Sequence, residues 1–108
     1  MKKTLLIAVL MLGGCASFVA SAPVQTYRAQ GQAEAWHISG KLDGLKEFLT
    51  ITVNGQDAIS GQLSMWDGSG TVAGVYQGKP MSATCSTVRY QRRCQVLVGS
   101  EVAANLVF

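Results

Sequence analysis

Turn pairs recur along this chain at Asp43-Gly44, Asn54-Gly55 and Asp67-Gly68, and the runs between them alternate apolar and polar residues. Each pair supplies residues that tolerate the positive φ of a tight hairpin. Trp36, Ile38 and Leu42 share one face, and Leu49, Ile51 and Val53 share the next, opposite Thr50 and Thr52. Ile59, Leu63 and Met65 continue the pattern, followed by Val72 and Tyr76, then Met81, Ala83 and Cys85. Val96 and Val98 are expected to face inward, as are Val102, Ala104, Leu106 and Phe108. A period of two is the signature of half-buried strands. About seven strands at spacings of roughly 8–12 residues predict an all-β fold.

The expected fold is a small antiparallel meander, closed as a barrel or barrel-like sandwich, with one disulfide. Gly40, Gly61 and Gly74 fall inside strand patterns, where glycine permits a bend or bulge. Repeated bends favour a closed barrel over a flat sandwich. Gln77-Gly78, inside Tyr76-Gln77-Gly78-Lys79-Pro80, reads as another hairpin turn. Residues 100–106 could open a helix capped by Ser100. The alternation of Val102, Ala104, Leu106 and Phe108 favours a closing strand instead.

The N-terminus has a different texture. Met1, Lys2 and Lys3 precede an apolar run, residues 4–12, which ends at Leu12-Gly13-Gly14-Cys15. This arrangement resembles the signal peptide and lipobox of a bacterial lipoprotein. The resemblance implies cleavage before Cys15 and lipid on its sulfur. Ala16 and Ser17 follow, with no aspartate, which in that class implies the outer membrane; the domain is expected on its periplasmic face. Two alternatives stand beside it: ordinary signal-peptidase cleavage after Ala22, and an uncut anchor. The first would put Pro23 after the cut. The second has fewer apolar residues than the roughly 20 that span a bilayer. The expected organisation is a lipoprotein signal peptide at 1–14, a lipidated tether at 15–30 and a single β domain at 31–108. Residues 16–30 show no clear period, although Tyr27 is expected to touch the fold.

The formal charge is +3. Lys2 and Lys3 leave with the leader, so 3 − 2 gives +1 for the processed chain. The basic balance is therefore no argument for a nucleic-acid partner. A domain this small is marginal on its core alone. With Cys15 assigned to lipid, Cys85 and Cys94 remain, and an even pair in an exported chain reads as a disulfide.

No set of residues carries catalysis or metal binding. His37 is the only histidine and has no triad around it in the pattern. One histidine and a paired cysteine set cannot make a zinc site. Asp43, Asp57 and Asp67 stand beside glycine-containing turns without calcium-loop spacing. No cofactor is expected. The candidate contact is the loop closed by Cys85 and Cys94, which carries Arg89, Tyr90, Arg92 and Arg93. Arginine pairs bidentately with carboxylate or phosphate, and tyrosine gives rigid contact area. An acidic protein or an anionic envelope component would fit it. The bland alternative is a solvated hairpin whose charges discourage edge pairing. Trp66, in Trp66-Asp67-Gly68-Ser69-Gly70, could stack on a sugar, but tryptophan in a small domain is more often core.

The chain also resembles the bacterial lipoprotein inhibitors of c-type lysozyme in its lipobox leader, its size and its disulfide. Ser69-Gly70 and, in reversed order, Gly78-Lys79 stand for that family's Ser-Gly and Lys-Gly elements, with Tyr76 between them. The tryptophan expected beside the second element is missing. The leading expectation is a non-enzymatic binding or structural lipoprotein. The alternative is a lysozyme inhibitor using Ser69 and Lys79.

Overall fold

The structure, a computed structural model, describes residues 19–29 and 34–108. The leader 1–14, Cys15 and residues 30–33 lie outside them. The described residues form β1 (Val19–Tyr27), β2 (Trp36–Asp43), β3 (Phe48–Val53) and β4 (Gln56–Gln62), then β5 (Gly70–Tyr76), β6 (Lys79–Val88), β7 (Gln91–Val98) and β8 (Glu101–Val107). All eight make one antiparallel sheet in chain order, each strand paired with its sequence neighbours. The sheet curls until β1 lies against β8, a nearly closed barrel. Among the described residues, no strand ladder spans this join. The Gln25 side chain supplies one instead: Asn105 N–H donates to Oε1 at 2.9 Å, and Nε2 donates to the Asn105 carbonyl. A carboxamide has the donor and acceptor of a peptide group, so one side chain stands in for a strand partner.

The all-β meander with one disulfide is as expected, with eight strands. The additional strand is β1, in the segment expected to be a tether. It pairs with β2 from Val19 opposite Asp43 to Tyr27 opposite Trp36. A bulge between Ala22 and Gln25 inserts one residue into β1, so buried Ala22 and Tyr27 are an odd number of residues apart. That slip hides the alternation. Pro23 sits in the bulge, where no ladder donor is required.

A second bulge displaces β8. Val96 pairs with Ala104 but Leu97 with Val102, leaving Ala103 over. Ala103 and Ala104 are both buried, and Val102 turns outward rather than inward. Residues 101–107 are strand, not helix. Met65, expected on an inward face, lies past the end of β4 and is exposed. Asn54-Gly55 and Gln77-Gly78 have positive φ at both residues, the type I′ pattern. Asp43-Gly44 differs. Positive φ falls on Glu47, and the Asp43 carboxylate accepts the Leu45 and Lys46 amide protons at 3.1 and 3.3 Å.

The interior is apolar. Ile38, Leu49, Ile51, Val53, Ile59, Val96 and Leu106 are fully buried. Cys85 and Cys94 are register partners on β6 and β7, bonded at 2.09 Å inside the barrel. Outward positions of the same strands carry polar side chains; Ser39 meets Thr52 at 2.8 Å and Thr71 meets Thr84 at 3.1 Å. β4 and β5 share a single ladder pair, Ile59 opposite Gly74. The strands cross so closely there that a Cβ on Gly74 would stand 2.1 Å from the Ala58 carbonyl oxygen.

One end of the barrel is filled by aromatic rings. Trp36 meets Tyr27 and Tyr76 edge-on, at centroid distances of 5.9 and 4.9 Å. Lys79 Nζ lies 5.6 Å from the Trp36 ring, and Asn54 Nδ2 donates to the Tyr76 hydroxyl at 3.2 Å. Burial raises the Tyr27 pKa, and the neighbouring Glu101 carboxylate raises it further.

Three outcomes follow. Gly74→Ala forces a methyl group into backbone, and urea midpoints should show a loss of about 1–3 kcal/mol. Gly78→Ala, with open space around its Cβ and only its φ of +77° against it, should lose about 1 kcal/mol. In alkaline titration, the folded state resists Tyr27 ionisation more than the unfolded chain does. This contribution to stability is complete below the ordinary phenol pKa and fades as pH rises through the raised folded value. Urea midpoints from pH 8 to 11 should fall less steeply for Tyr27→Phe.

Candidate functional site

At the end of the barrel away from the aromatic rings, three connections converge: residues 44–47, residues 63–69 and the β6–β7 tip. They are held together by a polar clamp. Arg92 Nη1 and Nη2 donate to the two Glu47 carboxylate oxygens, at 2.5 and 3.1 Å. Both side chains are largely shielded, at 16% and 15% exposure. Arg92 Nε donates to Thr87 Oγ1 at 2.8 Å, and that hydroxyl donates to the Asp67 carbonyl. Gly68 lies directly under the guanidinium; a Cβ there would fall 2.0 Å from Arg92 Cζ. Gln62 Nε2 reaches the Lys46 carbonyl, and the Leu63 amide donates to the Glu47 carbonyl at 2.8 Å. The Ser69 hydroxyl and amide donate to the Asp67 carboxylate, at 2.7 and 3.0 Å, which lowers the Asp67 pKa.

This clamp divides the expected contact residues. Arg92 is committed to Glu47 and Thr87 inside the protein. Arg89, Tyr90 and Arg93 are exposed. Arg93 lies on the outer wall of β7, with its guanidinium donating to Gln91 Oε1 at 3.3 Å. Arg89 and Tyr90 are the two central residues of the hairpin, with φ of 52° and 69°. Their counterparts in the other two such turns are Asn54-Gly55 and Gln77-Gly78, each with glycine at the second positive-φ position. A bulky side chain in the left-handed region costs about 1–2 kcal/mol. Arg89-Tyr90 thus holds two strained residues at the most exposed point of a hairpin stapled at its base by Cys85–Cys94.

Much of what surrounds that tip leaves little trace in the sequence pattern. Trp36 is core, as expected, but Trp66 is 98% exposed. Leu45 and Met65 are exposed beside it in the connections. One signal was readable: an apolar residue between Asp43-Gly44 and Lys46-Glu47 sits in a turn, where no strand face can bury it. The Glu47–Arg92 pairing spans 45 residues and left no local trace.

Ser69 and Lys79 fall at opposite ends of β5, so no single compact surface holds both. Seven strand residues separate them, roughly 20 Å at the rise of a β-strand. Asp57 lies near the start of β4 and Asp67 past its other end, so the two carboxylates are far apart. His37 is exposed, and its backbone exchanges bonds of 2.9 Å with Asn54. Among the described residues, no three His, Cys, Asp or Glu side chains gather where they could hold a metal ion.

Compared with family models, curated proteins and solved structures, the chain matches none.

Replacing Arg89-Tyr90 by Asn-Gly relieves both positive-φ residues. The double variant should be more stable by about 1–2 kcal/mol in urea unfolding. Equal or lower stability would mean that the tip is not strained.

Proposed function

We propose that this protein is a non-enzymatic binding lipoprotein of the bacterial outer membrane. It is anchored through lipid on Cys15 and makes its contact through the end of the barrel that carries Arg89 and Tyr90. The observation that carries the reading is the strained, fully exposed tip on a stapled hairpin. Strain is kept where something other than stability needs it. Asn-Gly would make the same turn with less strain, but it offers neither a guanidinium nor an aromatic ring. The disulfide reduces the entropy lost when such a tip is bound. The lipobox pattern and the two lysines ahead of it support the anchor. The separation of Ser69 from Lys79 disfavours a lysozyme-inhibiting contact built on both.

The test has two readouts in an exporting bacterial host. A clickable palmitate analogue should label the full chain and not Cys15→Ser; equal labelling of both would reject the anchor. A photo-crosslinking residue at position 90 should form adducts in cells, whereas one at exposed Gln77, at the other end, should not. Adducts from position 77 alone would move the contact site to the opposite end.

A further inference from the structure

The same end of the barrel has a second property, independent of the turn strain. Leu45, Met65, Trp66 and Tyr90 project from three different connections and are 63%, 63%, 98% and 103% exposed. Water-exposed apolar side chains gathered at one site mark an interaction surface. The opposite end presents Asn54-Gly55, Gln77-Gly78 and Gly99-Ser100 at its hairpin turns.

Charge accompanies the apolar residues. Lys46 and Arg89 stand on the connections, and Lys41 and Arg93 on the adjoining outer walls. The Glu47 charge is cancelled by Arg92. Asp43 and Asp67 remain, giving 4 − 2 = +2 around the rim. Tryptophan, tyrosine and cations around an apolar tip are the side chains that settle at the boundary between lipid headgroups and acyl chains.

The chain itself indicates which surface is covered. β1 begins at Val19, opposite Asp43, and so emerges at this same end. Cys15 is four residues earlier, at most about 14 Å of extended chain. Val19, Lys41, Asp43, Lys46 and Phe48 line an open groove where β1 begins, placing two lysines, one aspartate and apolar surface next to the chain's exit.

We propose that Leu45, Met65, Trp66 and Tyr90 dock on an anionic lipid bilayer, with Lys46 and Arg89 against its headgroups. The inference rests on the lipid anchor at Cys15 and names the partner of the contact end. With so short a connection, acyl chains in the bilayer hold this end at the membrane surface. Weak apolar and charge contacts then act at high effective concentration. The domain stands on the membrane by its three connections, the aromatic-filled end pointing away.

The test uses the full processed protein, purified from an exporting host and reconstituted into phosphatidylethanolamine–phosphatidylglycerol vesicles. The mass of the N-terminal peptide reports lipid on Cys15. Tryptophan emission is measured with phospholipids brominated near the headgroup, for the wild type and for Trp66→Phe. The variant retains Trp36, which is buried at the far end. With Cys15 lipidated, brominated lipid should quench the Trp66 contribution by at least about twofold, as expected for a ring at the interface. Emission from Trp36 should stay unchanged. Raising salt or replacing phosphatidylglycerol by phosphatidylcholine should weaken the quenching. Lipidated protein with Trp66 unquenched by the bilayer and open to aqueous iodide would overturn the docking and leave the anchor intact. An N-terminal peptide without lipid would overturn the anchor and the docking that depends on it.

Discussion

A meander of eight strands has two ends, and its stability depends on what happens where they meet. An unpaired edge on β1 and another on β8 would leave a row of backbone donors and acceptors open to other chains. Here the two edges lie together, and the Gln25 carboxamide exchanges both of its hydrogen-bonding functions with Asn105. That contact ties the first strand to the last, across 80 residues of sequence. It lets the interior close around Ile38, Leu49, Ile51, Ile59 and Leu106 rather than remain one face of an open sheet. The bulge at Ala22–Gln25 lies on the same strand, which stays paired with β2 on both sides of it while Gln25, where the register resumes, reaches across to β8.

Most of the barrel was legible because the signals are local. Alternation and turn residues act within a few positions, and the strands they mark at Trp36, Leu49, Met81 and Val96 face as their pattern says. The legible part ends at bulges. One extra residue reverses every following side chain, which is why β1 looked irregular and why Val102 was expected inside. The disulfide was readable from the two cysteines left once Cys15 was set aside for lipid, and its partners are directly opposed in the ladder.

The candidate site was less legible, for a different reason. Arg89, Tyr90, Arg92 and Arg93 look alike in sequence, being polar or amphipathic residues in one loop. Their roles separate only when Glu47 arrives from another connection and takes Arg92 into a bidentate pair. The ion pair, Thr87 and the glycine beneath the guanidinium turn three neighbouring connections into one rigid platform. Leu63 in the same connection is buried, while Met65 and Trp66 project outward.

Nearest-neighbour pairing also imposes an order of assembly. Each hairpin from β2 through β8 can form as soon as its second strand is available, since its partner is adjacent in sequence. Such local contacts are the ones that form quickly. β1 is the exception: one edge finds β2 at once, but the other waits for β8. During vectorial synthesis, the first strand made therefore keeps one edge open until the last strand appears. The barrel closes in a single late event, with its first and last strands meeting at Gln25 and Asn105.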